Sequence, residues 1–372
     1  FLMTTFYPYT TNLQPFESSV WLVPIVSSNS ILLVIGFAYY RKKLPLQIYK
    51  GIEFILNFEI SKKTALLTGI IILVVYIGFS LPELAIDEAT QYDDWGVLES
   101  ALEVWPSTDS DDIYINEQNT RYVRMLLLDA SSDLFQNIKL LPFVASILLV
   151  VVTFFLTYQI TQKRFAGIIS MVILLQSHTF LHFDTIAVYE NFWVLFYVVS
   201  LYAINKKWQY SSISYLLSIF SKAFIAVFFL SSLYYICRAS ISTRKKLYTL
   251  ASYATSLIVI LLVFSFGESI YFDIINISSS EFFLAFNALG YTLRYDLIIV
   301  LSLLPLTLGL FFKFRKDNSK KVDSILVLIL TALLAGPVIS MLTDFYFILP
   351  YRFLPLIVFV AVGIGVLLSK KN

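Results

Sequence analysis

The chain has almost no cysteine and almost no histidine: Cys237 is its one thiol, and His178 and His182 are its two imidazoles. One thiol cannot close an intramolecular disulfide or hold a structural zinc ion alone, which excludes a disulfide-stapled secreted scaffold. Cys237 reads as helix filler. Charge is scarce too. Asp, Glu, Lys and Arg make up 14% of the 372 residues, against about 25% in a soluble domain. That excludes a disordered polar tail and a conventional soluble enzyme. The 27 basic residues are scattered over short connections, so there is no consolidated surface for nucleic acid. What is abundant is apolar. Hydrophobic residues fill 58% of positions, with 33 Phe and 24 Tyr, and the mean hydropathy is +0.78. A soluble core cannot hide that much apolar surface, whereas a lipid-facing bundle need not. The composition predicts an all-α polytopic integral membrane protein. The first residue is Phe rather than Met, so no signal peptide is read from the N-terminus.

Runs apolar enough to cross about 30 Å of hydrocarbon lie at 20–40, 64–82, 138–160, 166–181, 191–204, 209–221, 223–238, 247–266, 296–312, 323–342 and 346–369. They predict about eleven transmembrane helices, those at 191–204, 209–221 and 223–238 being short enough to be broken or tilted. Alternating sides through these runs collects 21 of the 27 basic residues on one side, among them Arg41, Lys42, Lys43, Lys62, Lys63, Lys163, Arg164, Lys206, Lys207, Arg244, Lys245 and Lys246. The other side receives most of the acids, including Glu83, Asp87, Glu88, Asp93, Asp94, Glu99, Glu103, Asp109, Asp111, Asp112 and Glu117. By the positive-inside bias the basic connections are cytoplasmic, the N-terminus is outside and the C-terminus inside, with the plasma membrane the expected location.

Two segments read as structure outside the hydrocarbon. Residues 44–62 carry bulky apolar residues near helical spacing with Lys50, Glu53, Glu59 and Lys62 between them, the pattern of an amphipathic helix on the cytoplasmic face or of a linker. The 55-residue connection 83–137 is too long to be structureless in a compact protein. It is expected to be partly helical, with one helix in 88–104 and another in 119–133. The chain accordingly divides into 1–63, a span plus the amphipathic segment, and 64–372, a transmembrane core that includes external loop 83–137.

Candidate chemistry gathers at the outer ends of the spans. Asp87 and Glu88 follow the span that ends at Pro82, where an apolar wall can raise a carboxylate's pKa. Such groups serve as a general base or hold a divalent cation, Mg or Mn, over a phosphate. Asp93-Asp94 and Asp111-Asp112 look like metal-binding pairs, although solubilising a translocated loop explains most of these acids. Residues 176–191 hold both histidines with Asp184 and Glu190. Two histidines four apart on a helix can ligate a metal, while hydrogen bonding at a span end is the commoner role. Arg352, at the outer end of the last span, needs a carboxylate, a phosphate or the headgroups as partner. Arg121, Arg124, Lys139, Lys222 and Arg294 are the other outer basic residues. Asn276-Ile277-Ser278 is a glycosylation-type triplet.

Asp87-Glu88-Ala89 followed by Asp94-Trp95, Ile138-Lys139-Leu140-Leu141-Pro142-Phe143 opening a span, Lys163-Arg164-Phe165-Ala166-Gly167 in a cytoplasmic turn, and Tyr351-Arg352-Phe353-Leu354-Pro355 late in the chain occur in order. This order resembles the polytopic glycosyltransferases that use polyprenyl-phosphate-linked sugars, the GT-C type, among them protein O-mannosyltransferases, aminoarabinose transferases and oligosaccharyltransferase membrane cores. The resemblance implies a GT-C-like bundle with a structured first large external loop. It implies a polyprenyl-phosphate-linked sugar and membrane lipids as partners, in a membrane-protein complex or alone. It also implies Asp87 as catalytic base or metal-positioning residue with Glu88 beside it. Asp87, Glu88 and Asp184 become candidate metal ligands, His182, Asp184 and Glu190 support the second external loop, and Arg352, Arg121 and Arg124 contact the donor phosphate. His182 stands where many members carry arginine, and the chain is short for the family. A non-catalytic subunit of the same fold and a lipid or glycolipid transporter therefore stay open as alternatives. The sequence contains no convincing internal repeat and few midspan charges of the kind a transporter uses.

The charge bias generates a topology test. With single cysteines introduced into a Cys237→Ser chain, a membrane-impermeant thiol reagent should fail to label position 316 in intact cells and should label it after permeabilisation. Labelling in intact cells would reverse the assignment.

Overall fold

The computed structural model describes residues 19–107, 112–265, 279–293, 296–317, 321–342 and 349–369, and what it describes is helical. In chain order the α-helices are α1 (Ser19–Tyr40), α2 (Leu46–Asn57), α3 (Lys62–Ser80), α4 (Trp95–Val104), α5 (Ile113–Asn119), α6 (Tyr122–Phe135), α7 (Leu140–Thr161), α8 (Arg164–Leu175), α9 (His178–His182), α10 (Phe192–Lys206), α11 (Ser211–Ser221), α12 (Phe229–Arg238), α13 (Thr243–Ser265), α14 (Ser279–Leu293), α15 (Leu297–Asp317), α16 (Val322–Leu342) and α17 (Leu354–Leu367). They fall into two compact units, each discontinuous in sequence. The first comprises Phe1–Gly69, Thr153–Phe180 and Tyr271–Asn372, the second Ile70–Val152 and Leu181–Ile270.

Six helical segments among the described residues have the length and apolarity to cross a membrane: Val23–Tyr40, Lys62–Ala85, Leu140–Thr161, Leu297–Arg315, Val322–Leu342 and Pro350–Leu367. The chain is an all-α polytopic membrane protein. The expectation of about eleven spans is corrected. The runs at 166–181 and 191–204 become α8, of 12 residues, and α10, of 15, about 18 and 22 Å long at 1.5 Å per residue and too short for the hydrocarbon. The run at 209–221 reduces to a 3-10 turn and the 11-residue α11, and that at 223–238 splits into a 3-10 stretch, Ala223–Phe228, followed by α12. Sides assigned by alternating through eleven crossings therefore do not carry over unchanged. Of the run at 247–266, residues 247–265 lie in α13, and residue 266 lies outside the described set.

In the first unit, α17 packs against α8, α15 and α16, while α14 lies on α16 and α1 on α15. Twelve of the 14 residues of α17 are buried. Lipid supplies no hydrophobic force between helices, so close approach and polar contacts must hold them. Gly365 supplies the approach: a Cβ there would meet the Ala166 carbonyl oxygen and Thr157 Cγ2, both at 2.7 Å. Polar contacts fasten α1, where Ser28 and Asn29 donate to the Leu301 and Val300 carbonyls at 3.2 and 3.0 Å. Lys313 donates to the Val366 carbonyl at 2.6 Å and also to the Ser369 carbonyl, closing the C-terminal end of α17, where orphan carbonyls favour a cation.

In the second unit, α10 packs along α11, which also meets α6 and α13. Serines make that approach possible. Ser214 and Ser218 of α11 donate to the Phe196 and Trp193 carbonyls of α10 at 2.7 and 2.5 Å. The 83–137 segment is helical as expected, though differently divided. A 3-10 turn at Glu88–Thr90 precedes α4, α5 is an additional helix, and α6 runs from 122 rather than 119.

The tight contact at Gly365 sets a prediction. Gly365→Ala should destabilise the detergent-solubilised protein by about 1–3 kcal/mol. Gly78→Ala, where an added Cβ meets nothing within 4 Å, should be neutral or gain up to about 1 kcal/mol. Thermal unfolding of both variants checks it.

Candidate functional site

Pro82 has no N–H to continue α3, and the helix runs out through a 3-10 stretch, Leu81–Ala85. The chain then turns at Asp87, whose Oδ1 accepts the Ala89 N–H at 3.0 Å and caps the turn Glu88–Thr90. This local geometry sends two adjacent acids opposite ways: Asp87 is exposed and Glu88 is 2% exposed.

Glu88 meets a segment with no regular structure. Residues 183–190, between α9 and α10, are non-helical and all buried. A buried backbone without a helix must find partners for its N–H and C=O groups elsewhere. Glu88 supplies two, its Oε1 and Oε2 accepting the Ala187 and Val188 N–H groups at 2.7 and 3.1 Å. Arg124, on α6, takes the carbonyls of the same residues, donating from Nη2 to Val188 at 2.9 Å and to Ala187 at 3.5 Å. Its Nε lies 3.3 Å from Glu190 Oε1 and its Nη1 donates to Gln118 Oε1. One carboxylate and one guanidinium thus clamp one dipeptide from both sides.

Lys139, just before α7, closes the cluster. Its ammonium donates to the Glu83 and Ile86 carbonyls at 2.5 and 3.1 Å and lies 3.9 Å from Glu88 Oε1. It sits in the combined negative field of Glu88, Glu83, Asp184 and Asp87. Asp184 accepts the Ser80 hydroxyl on Oδ2 at 2.7 Å, and its carbonyl accepts Ser146 Oγ at 2.7 Å. Asn191 donates to Ser146 Oγ and the Phe183 carbonyl at 2.9 and 3.2 Å. Glu190 Oε2 accepts the Phe192 N–H at 3.2 Å, at the start of α10, where the helix dipole favours its charge.

Burial dominates the electrostatics. It pushes the Asp184 carboxyl up to about 7, against the lowering effect of the Ser80 hydroxyl. It likewise pushes Glu190 up to about 7, opposed first by the Arg124 charge and then by Lys222 and Arg121. Glu88 is raised by burial, opposed by its two backbone donors and then by Lys139 and Arg124.

The structure brings together Glu88, Asp184, Glu190, Arg124 and Lys139, with Asp87 at the exposed edge. Other expected residues are engaged elsewhere. His182 Nε2 faces the Tyr92 hydroxyl at 3.4 Å. Arg121 pairs with Glu117, one turn back on its N-terminal side, and donates to Gln118 Oε1 at 3.1 Å. Lys222 lies 5.5 Å from the centre of the Trp193 ring. Arg352 belongs to the first unit, in the 3-10 turn Pro350–Phe353, where its Nε donates to the Tyr351 hydroxyl at 3.4 Å. Asp94 accepts the Tyr189 hydroxyl at 2.7 Å and Asp112 caps α5 through the Tyr114 N–H at 2.8 Å, so both work within the fold. Asp109, Asp111, Arg294 and the triplet 276–278 lie outside the described residues.

Among the described residues, no three His, Cys, Asp or Glu side chains converge to hold a metal ion. Both Glu88 oxygens take backbone N–H donors and Asp184 Oδ2 takes a hydroxyl. Ser80, Ser146, Asn191 and Gln118 were missed from sequence, although Ser146 lies within an apolar span, where a polar side chain signals a partner. Asp296 was missed too. Buried in the first unit, it accepts both the hydroxyl and the N–H of Thr179 and the hydroxyl of Ser177.

Fold and site define a polytopic all-α membrane protein with a buried, internally paired charge cluster. No family model, curated protein or solved structure matches the chain.

The pH behaviour of Asp184 can be tested. Its carboxyl binds a proton more tightly folded, at about 7, than unfolded, at its ordinary 3.8. Its contribution to stability is therefore full below pH 3.8 and is lost as pH rises to about 7, after which it is flat. Asp184→Asn should remove this component, so its melting temperature should fall less than the parent's between pH 5 and 8. The difference amounts to a few kcal/mol, at about 1.4 kcal/mol for each tenfold change in proton affinity. Parallel curves would contradict it.

Proposed function

We propose that the chain is a membrane glycosyltransferase that moves a sugar from a polyprenyl-phosphate-linked donor to a hydroxyl of a lipid, glycan or protein at the external membrane face. The observation that carries this reading is the presentation of Asp87: an exposed carboxylate on a turn held by the buried Glu88–Lys139 pair, directly after a span. A reactive group needs such rigid support. In the proposed step the acceptor oxygen attacks the anomeric carbon of the sugar and the bond from that carbon to the phosphate oxygen breaks. Asp87 takes the acceptor proton, and the polyprenyl phosphate leaves with the bonding electrons. Arg121 and Arg352 keep the donor-phosphate role that the motif resemblance implies, and a variant of Arg352 tests it. Arg124 is reassigned, since a phosphate would have to displace Glu190, Gln118 and two carbonyls to reach it. No step runs through a metal.

One observation favours a second reading, a non-catalytic subunit of a membrane complex. Glu88, Arg124 and Glu190 spend their charge on one another and on backbone, as purely structural groups do.

Purified protein in nanodiscs should transfer sugar from at least one of a panel of polyprenyl-phosphate sugars. Asp87→Asn should lower kcat about 10²–10⁴-fold with little change in melting temperature, because the side chain is exposed. Arg352→Ala should mainly raise the donor KM. Full activity in Asp87→Asn would remove the base assignment. No transfer from any donor, together with stoichiometric co-purification of another membrane protein, would favour the subunit reading.

A further inference from the structure

Helix α2 is apolar along a face that it does not bury. None of its residues is buried. Ile48 and Ile55 are 51% and 45% exposed, Phe54 is 67% exposed, and Phe58, just past the helix end, is 37% exposed. Ile48 and Ile55 lie seven residues apart, two turns along one face.

The chain fixes where this face lies. Residues 41–45 join α2 to α1 and residues 58–61 join it to α3. At about 3.5 Å per residue, neither end of α2 can be more than about 20 Å from the end of a membrane-spanning segment. Side chains tie it closer within the first unit. Tyr39, at the end of α1, donates to Glu53 at 2.7 Å and stacks on Tyr49 at 5.4 Å between ring centres. At the far end Lys163 donates to the Leu56 carbonyl at 2.8 Å, Arg164 pairs with Glu59 at 3.2 Å, and Phe58 meets Phe165 edge-on at 4.9 Å.

Charge identifies the occupant. Arg41, Lys42, Lys43, Lys50, Lys62 and Lys63 are all exposed. The two acids of the segment are engaged: Glu53 accepts Tyr39 and Asn57, and Glu59 accepts Arg164. Lys50, Phe54 and Phe58 also line an open depression of about 400 Å³ with Glu53, Asn57 and Glu59. Basic residues around an unburied apolar helix face, at the ends of spans, match an anionic lipid surface.

We propose that α2 lies in the headgroup layer of the bilayer, with Ile48 and Ile55 at the acyl boundary. Arg41, Lys42, Lys43, Lys50, Lys62 and Lys63 then make it a binding surface for anionic phospholipid. Depth is read first, on the full chain carrying Cys237→Ser and one nitroxide at position 48, 55 or 57 in nanodiscs. Labels at 48 and 55 should relax with oxygen, and the label at 57 with an aqueous nickel chelate. Equal nickel access at all three positions would overturn the insertion. Lipid preference is read second, as the ratio of bound spin-labelled phosphatidylglycerol to bound spin-labelled phosphatidylcholine. The parent should show a several-fold preference that weakens with salt. Arg41→Gln, Lys42→Gln, Lys43→Gln and Lys50→Gln together should bring the ratio near one. Parity in the parent, or an unchanged ratio in the quadruple variant, would overturn the anionic-lipid assignment even with the helix inserted.

Discussion

The second unit depends on the clamp that Glu88 and Arg124 place on the peptide groups of Ala187 and Val188. Residues 183–190 form neither helix nor strand and are wholly buried, and each unpaired peptide group there would cost about 1–3 kcal/mol. The carboxylate takes the N–H groups and the guanidinium takes the carbonyls. A neutral side chain could fill the space but could not accept two donors, or donate in a fork, at this spacing. The pairing with Glu190 follows from the same need, because a guanidinium held against carbonyls in a dry site requires a nearby negative charge.

That arrangement has an energetic asymmetry. A complete buried charge cluster adds little net stability, whereas removing one member costs about 3–5 kcal/mol because its partner is left charged and unsolvated. Lys139 ties the cluster to the turn after α3 and to the start of α7, so the ends of two long helices and the connection into α10 share one set of charges. Asp87 projects from the same turn into the open, and its placement inherits the rigidity of the buried groups behind it. The base role proposed for Asp87 requires a support that does not move, and the buried pairs supply one.

Apolarity is used in two ways. On α1 and α3, large side chains such as Val34, Phe37, Leu66 and Phe79 are exposed, as suits helices bathed in lipid. On α10, ten of 15 residues are buried, with Phe192, Trp193, Val194 and Leu195 buried in succession, so its surroundings are protein. Serines of α11 and Gly365 of α17 set how closely helices approach, a role that apolar bulk cannot perform.

Composition alone determined the class. Scarce charge and long apolar runs leave no soluble solution, and six runs emerged as helices of crossing length, continuing through the internal prolines Pro24, Pro305 and Pro337. The helical character of 83–137 was legible from its apolar periodicity, and Glu88, Asp184, Glu190 and Arg124 stood out as charges flanking apolar segments. Tertiary structure decided the rest. The runs at 166–181, 191–204, 209–221 and 223–238 could not be separated from spans by hydropathy, which reports a preference for any dry environment, protein or lipid. Adjacent Asp87 and Glu88 are equivalent in sequence, and only the turn after Pro82 makes one exposed and the other buried. The partners Ala187 and Val188 offer backbone alone, which no side-chain pattern encodes. Which charge meets which peptide group depends on where the chain folds back, a long-range condition absent from any local stretch of residues.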